Sequence, residues 1–345
     1  MRNLENIKAF TREERAATLK ALGLPAFREK QIFAWISRGA QSWDECTDLS
    51  KDLRAKLSQL YAWENAEAEL AQTSSDGTRK FLIRLPDGER VEAVFMAYGY
   101  GNSLCLSTQV GCNMGCAFCA STIGGRVRNL AAWEMLEEYV LAVRETDEVV
   151  NHIVVMGMGE PFDNYEEVVA FLRLIHDPQG IGLSYRNITL STCGLVPGIR
   201  RFGEDFPQVN LAISLHASNQ VEREKLMPVA KAYPLDELIA ACREHAEKTG
   251  RRVTFEFALI AGRNDTPQTA KELADLLRGM LCHVNLIPLN PVTETGLQGT
   301  DRKAAAKFRD MLESMGIPAT VRRQLGSDID AACGQLRKKY TQRIS

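Results

Sequence analysis

The sequence predicts an α/β fold: a partial (β/α)6 barrel, preceded by a small helical N-terminal accessory domain and a β-hairpin linker. Three observations predict it. Beyond residue 100, short apolar runs alternate with amphipathic helical stretches, the pattern of a parallel sheet wrapped by helices. Between residues 67 and 98 the hydrophobic period is two, and Pro86-Asp87-Gly88-Glu89 separates two alternating runs. Before residue 62 apolar residues recur at helical spacing. The expected domains are 1–62, helical; 63–100, a hairpin extension of the barrel; and 101–345, the barrel core with a C-terminal loop.

In the first domain Thr11 caps a helix, and Glu14 three residues on completes a capping box. Ala16, Leu19, Leu22 and Leu24 give that helix an apolar face, and Gly23 and Pro25 end it. A second helix is expected over 26–38, burying Phe27, Ile32, Trp35 and Ile36, and a third over 50–61. The runs RKFLIRL and RVEAVFM form the hairpin around its turn. Strands are expected at 103–109, 152–157, 187–192, 209–215, 252–260 and 283–288. Helices near 131–144, 164–175, 235–248, 267–279 and 301–314 separate most of them. The polar and glycine-rich segments GCNMGCAFC, GMGEP, STCG, SLHAS and LNP follow the strands' C-terminal ends, the face that carries chemistry in barrels.

Hydrophobic residues make up 45% of the 345 and charged residues 25%, the balance of a soluble globular protein. No apolar run is long enough to span a membrane. The first ten residues lack an apolar signal core, so a cytoplasmic protein is expected. Nine cysteines at irregular spacing point to metal binding or thiol chemistry rather than a disulfide scaffold. Net charge is −2, yet residues 1–60 hold 11 Lys/Arg against 8 Asp/Glu and residues 301–345 hold 10 against 5. Basic ends around an acidic centre suit contact with a polyanion, although solvated helix faces would give the same counts.

Cys112, Cys116 and Cys119 stand in the run GCNMGCAFC, a C-x3-C-x2-C triplet. Four thiolates would close a structural zinc site or occupy every iron of a cubane cluster, whereas three leave one metal position open. A zinc site would want a fourth Cys or His nearby. The closest other cysteine, Cys105, lies on the preceding strand. The alternative is a 4Fe-4S cluster with one free iron, around which Gly111 and Gly115 let the loop wrap closely.

A C-x3-C-x2-C loop after the first strand of a partial barrel resembles the radical S-adenosylmethionine (radical SAM) enzymes. The resemblance implies a radical-SAM barrel, a 4Fe-4S cluster on Cys112, Cys116 and Cys119, and S-adenosyl-L-methionine chelated at the free iron. MGMGEP at 156–161 then offers Gly159 and the Glu160 carboxylate to the methionine ammonium, where a capped turn is the plainer reading. Ser191, Ser214, Leu215, His216 and Asn290 end later strands, and each can hydrogen-bond the cofactor.

The resemblance narrows further. ALGLPAFREKQIFAWI, LCLSTQVGCNMGCAFCASTIGGRVRNL, MGMGEP, SLHAS, IPLNP and DIDAACGQL recur in order in the RlmN family, across nearly the whole chain. That resemblance implies an RNA methyltransferase acting at C2 of adenosine 2503 in 23S rRNA and C2 of adenosine 37 in tRNAs. It implies a methyl-cysteine at Cys333, a covalent protein–RNA adduct and a transient disulfide with Cys105. Glu92 matches the family's proton acceptor, although its position alone would read as a surface strand glutamate. Residues 326–336, with Ala331, Ala332 and Gly334, are expected to form a mobile loop that delivers the Cys333 sulfur. Cys46, Cys193, Cys242 and Cys282 are read as structural, with Cys193 near enough to Ser191 to line the site. An electron donor such as flavodoxin or ferredoxin is implied, as is a monomer without membrane association. A Cfr-type enzyme acting at C8 of the same rRNA adenosine would use the same cysteines. An iron–sulfur electron carrier or RNA-binding module would need neither Cys105 nor Cys333.

A base inside folded RNA must be unstacked to meet the active site. The cations expected to grip the RNA backbone are Arg28, Lys30, Arg38, Lys51 and Arg54 at one end, and Arg322, Arg323, Arg337, Lys338 and Lys339 at the other. Arg126 and Arg128 lie just past the cysteine loop. Aromatic residues among these cations are few, which favours recognition of RNA shape.

Overall fold

The computed structural model describes residues 4–289, 296–326, 328–329 and 336–337. The N-terminal helices form where the sequence anticipates, at Arg12–Ala21, Phe27–Ser37 and Lys51–Leu60, but Phe27, expected on the buried side, is 52% exposed at the helix start. The Thr11 hydroxyl accepts from the Glu14 N–H (3.2 Å), and the Glu14 carboxylate accepts from the Thr11 N–H (2.9 Å). Two of the four orphan donors of the helix start are thereby satisfied. Glu5–Asn6 pairs in parallel with Tyr61–Ala62 and closes the unit on itself.

This unit docks on the barrel's outer helices through a buried ion pair. Lys8 Nζ lies 2.7 Å from Glu137 Oε1 on helix Ala132–Thr146, with both side chains almost fully buried. Glu137 Oε2 also accepts from the Ala66 N–H (3.1 Å), and Lys8 donates to Asn65 (2.7 Å). Arg12 reaches Asp177 (2.6 Å), just past helix Tyr165–His176.

One sheet of ten strands runs through the rest of the described chain. Three antiparallel strands, Glu67–Thr73, Arg79–Arg84 and Arg90–Tyr98, lead into Gly101–Cys105. The expected hairpin is there, with Asp87 Oδ1 accepting from the Glu89 N–H (3.0 Å). Its third member, Glu67–Thr73, went unread because EAELAQT lies on the sheet edge, mostly half-buried, without a clear apolar face. From Gly101–Cys105 onward the sheet is parallel through Val150–Val155, Ile188–Thr192, Asn210–Ser214, Val253–Leu259, Cys282–Pro288 and Ala319–Val321.

Three details differ from expectation. The last strand, Ala319–Val321, adds a seventh parallel strand, three residues long and so below the reach of a periodicity argument. Helix Val196–Asp205 forms through Pro197 and Gly198, since proline in the first turn has no intrahelical bond to lose. The first parallel strand stops at Cys105 rather than 109. Gln109–Gly111 instead pairs with Arg126–Asn129 in a separate two-stranded ribbon, and that ribbon carries the cysteine loop. Among the described residues no helix is long and apolar enough to cross a membrane.

Replacing Glu137 with Gln leaves Lys8 buried without an anion. Loss of one partner of a buried pair costs about 3–5 kcal/mol. A urea unfolding midpoint lowered accordingly is the expected result for Glu137→Gln; an unchanged midpoint would show that the docking does not depend on this pair.

Candidate functional site

The C-terminal ends of the parallel strands open into a cavity of about 800 Å³. All three triplet cysteines line it. Backbone crossing explains how. Gly111 has φ +81°, and a Cβ placed there would stand 2.0 Å from the Gly125 carbonyl oxygen. The ribbon can close only with glycine at 111. The Asn113 side chain accepts from the Arg126 N–H (2.8 Å) across the loop base, and the Cys119 N–H donates to the Cys116 carbonyl (3.1 Å). Burial pushes the Cys112 thiol up to about 11 and raises Cys116 and Cys119 as well.

Among the described residues no three His, Cys, Asp or Glu side chains converge as the ligands of a single ion would. In a cubane each thiolate holds a different iron, so the sulfurs stand further apart than around one ion. Three thiols sharing one cavity wall, electrostatically coupled to each other, and a fourth corner without a protein thiol in the loop fit a 4Fe-4S cluster with one open iron.

The GMGEP segment packs tightly under the site. Gly157 and Gly159 have no room for a side chain: a Cβ would fall 2.5 Å from the Leu106 carbonyl oxygen and 2.6 Å from Thr108 Oγ1. Glu160 lines the cavity but is 2% exposed. Its carboxylate accepts from the Phe162 N–H (3.0 Å), Thr192 hydroxyl (2.7 Å) and Cys193 N–H (2.7 Å). Burial raises its pKa against the pull of these donors. Glu160 therefore joins the loops after two adjacent strands, and the Cys193 thiol also hydrogen-bonds it.

Ser191 and Ser214 line the same cavity. Leu215 belongs to the core, and its N–H donates to the Glu256 carbonyl (3.0 Å). His216 has φ +56° and lines the cavity. Its Nδ1 accepts from the Ala258 N–H (2.9 Å), so the ring proton resides on Nε2. Burial pushes its pKa down to about 3, which makes it a neutral donor and unsuited as a general base near neutral pH. Asn290 lies outside the described residues.

Cys105 and Glu92 line the same cavity. Cys105 pairs with Val94 across the antiparallel ladder and with Val154 across the parallel one, and its half-buried thiol lines the cavity. Glu92 also lines it, with Oε2 2.8 Å from Lys80 Nζ in a buried ion pair. Its Oε1 accepts from the Arg337 N–H (2.6 Å). The surface-strand reading of Glu92 is thereby excluded: it is 3% exposed. Lys80 escaped the sequence reading, although strand alternation puts it diagonally across the ladder from Glu92.

Cys333 and the rest of 330–335 lie outside the described residues, as do Lys338 and Lys339. Their flanks are held. The Gly326 N–H donates to Asp76 (2.8 Å), and Asp328 takes hydrogen bonds from the Ser74 hydroxyl and the Ser75 N–H. On the far side Leu336 is buried and Arg337 is bonded to Glu92. Arg322, Arg323, Cys193 and Glu256 line the cavity too. Glu256 escaped the sequence reading because it sits between Phe255 and Phe257 in a mostly apolar strand. Arg126 and Arg128 are already paired, the first with Asp163 and the second with Asp87 (2.6 Å) and Glu134 (2.7 Å).

Residues 106–277 match the Radical SAM superfamily, and residues 5–62 match the Ribosomal RNA large subunit methyltransferase N-terminal domain. A relative described as a probable dual-specificity RNA methyltransferase RlmN, from Thermoanaerobacter pseudethanolicus, is 48% identical over 97% of this chain and 98% of its own length. Another of the same description, from Lachnoclostridium phytofermentans, is 50% identical over 97% of this chain and 95% of its own. The crystal structure of a radical SAM methyltransferase from Sphaerobacter thermophilus superposes with a TM-score of 0.91 at 45% identity, covering 96% of this chain and 98% of that one.

Burial pushes the Cys105 thiol up to about 11, with Arg322 pulling the other way. At neutral pH its thiolate fraction is about a hundredfold below that of an ordinary thiol. Peptide-resolved alkylation of the cluster-free protein should therefore show the Cys105 rate still climbing between about pH 9 and 10.5. A plateau near pH 9 would refute the raised value.

Proposed function

The chain belongs to the RlmN family of radical SAM RNA methyltransferases, and we propose that it methylates C2 of adenosine 2503 in 23S rRNA and C2 of adenosine 37 in tRNAs. One observation carries this reading. A single cavity collects the triplet cysteines, Cys105 and Glu92, while the tethers at 326–328 and 336–337 bracket the segment that holds Cys333.

The family's cofactors are a 4Fe-4S cluster, held here by Cys112, Cys116 and Cys119, and S-adenosyl-L-methionine. Together, when bound, they supply a methyl cation equivalent and a carbon-centred radical. Adenine C2 is electron-poor and does not attack a sulfonium methyl, so radical addition is the route open to it. The protein's residues divide the rest. The Cys333 thiolate takes the methyl group as a thioether, and the same sulfur then bridges enzyme and C2 through one carbon. Glu92 accepts the C2 proton as aromaticity returns. Its Lys80 partner holds the carboxylate in place, and the Arg337 N–H ties it to the C-terminal segment. The Cys105 thiolate attacks the Cys333 sulfur and forms a disulfide, while the electron pair of the broken sulfur–carbon bond stays on the methylene carbon, which takes a proton to become the methyl group; the unpaired electron left by radical addition passes to a one-electron acceptor as the ring regains aromaticity. The product leaves with its new methyl group, and an external thiol reductant restores both cysteines.

Glu160, Ser191, Ser214 and the Nε2–H of His216 offer the acceptor and donors for S-adenosyl-L-methionine. Arg322 and Arg323 at the cavity wall, with the helical domain at 1–62, contact the RNA backbone. The match of residues 5–62 to an rRNA methyltransferase N-terminal domain supports that assignment.

Anaerobic reconstitution with iron and sulfide, then incubation with S-adenosyl-L-methionine and unmodified 23S rRNA or tRNA, tests the reading. Mass spectrometry should find 2-methyladenosine with the wild type and none with Cys333→Ser or with Cys112, Cys116 and Cys119 all changed to Ala. Cys105→Ser should accumulate protein cross-linked to RNA. Recovery of 8-methyladenosine instead would assign the Cfr-type activity. Arg322→Ala combined with Arg323→Ala should weaken RNA binding and reduce the log–log salt slope by about 1 for each phosphate no longer neutralised; an unaltered slope removes these arginines from the interface.

A further inference from the structure

Helix Gln220–Leu226 lies directly against the cysteine loop. The Ala117 N–H donates to the Leu226 carbonyl (2.8 Å), and a Cβ at Gly115 would stand 3.4 Å from the Pro228 ring just beyond. Arg223, in the middle of this helix, is fully buried. Its Nη2 donates to the Cys193 carbonyl (2.6 Å) and, at 3.4 Å, to the Ser214 carbonyl. Its Nε and Nη1 have no hydrogen-bond partner. Among the described residues no carboxylate pairs with it. Burial lowers its pKa, and the groups that pull it back up are all thiols: Cys193, Cys116 and Cys242.

Those thiols are themselves raised by burial, so without a metal they are protonated and neutral at pH 7. A guanidinium taken from water without an anion is strongly unfavourable. Ligation changes that, because a coordinated cysteine is a thiolate: its proton goes to solvent and its negative charge remains.

We propose that Arg223 is a positioning residue for the iron–sulfur cluster, its buried guanidinium supplying the fixed positive charge that offsets the thiolate-bound core beside Cys116. The proposal rests on the triplet being the cluster's ligands. Hydrogen bonds and charge around the sulfurs set the potential of such centres. One electron from an external low-potential donor adds one negative charge and breaks no bond. A fixed cation stabilises that reduced state more than the oxidised one. The same charge helps to keep His216 neutral.

Redox titration followed by electron paramagnetic resonance, without RNA, tests the proposal on reconstituted wild type, Arg223→Lys and Arg223→Met. The Met variant should show a tenfold lower ratio of reduced to oxidised cluster at a fixed potential, a shift of about 59 mV for one electron. The Lys variant should stay within about threefold of wild type, or about half that shift. Equal potentials in wild type and Arg223→Met would overturn the proposal. Where the Met variant takes up no cluster, thermal unfolding of the cluster-free proteins decides. Removal of an uncompensated charge should raise the melting temperature; a lower or equal value, or failure to fold, overturns the proposal. A wild type that binds no cluster fails the reading of the triplet instead. The cluster-free comparison still tells whether the protein alone satisfies Arg223.

Discussion

The site depends on a place where two backbones nearly touch. At Gly111 the chain enters the cysteine loop, and at Gly125 it leaves, so close that no side chain fits between them. Everything in the loop follows from that crossing. It folds the intervening chain back on itself over the barrel mouth and holds Cys112, Cys116 and Cys119 against one cavity wall. The first parallel strand ends early, at Cys105, and this thiol lines the same cavity.

The second constraint is burial. The cavity is dry enough to raise all the thiols around it and to keep His216 neutral. In such surroundings charges persist only where something opposes them. Glu92 has Lys80, and Glu160 has three donors from two strand ends. Arg223 has two carbonyl oxygens and no anion. Among the described residues the groups whose charge would oppose it are thiols. The polar groups of the site thus divide into those the protein satisfies alone and one it does not.

How much of this was legible follows from the range of each interaction. The capping box, the hairpin turn and the triplet are local, and the chain states them within a few residues. The cavity's cysteines and serines were readable because they end strands in a repeating pattern. Lys80 and Glu256 were not, since a charged residue inside an apolar strand gives no sign of the partner across the ladder. Arg223 was hidden for a related reason. QVEREKL gives no local sign of an inward side chain, since Glu222 and Lys225 form an outward ion pair at 2.6 Å. Only the packing of the helix on the loop turns the residue between them inward. Glu160 was read as a carboxylate for the methionine ammonium, but its bonds to Phe162, Thr192 and Cys193 also hold strand ends together.

The delivery of Cys333 can be argued from chain geometry alone. Ile329 is four residues before it and Leu336 three after. At about 3.5 Å per extended residue, these limit the reach to about 14 Å from one tether and about 10 Å from the other. The second tether already sits on Glu92, inside the cavity that Cys105 lines. These are upper bounds, and both are short against the size of the barrel. On the reading proposed above, the Arg337–Glu92 bond at the root of that leash would tie any displacement of the segment to the carboxylate assigned to the C2 proton.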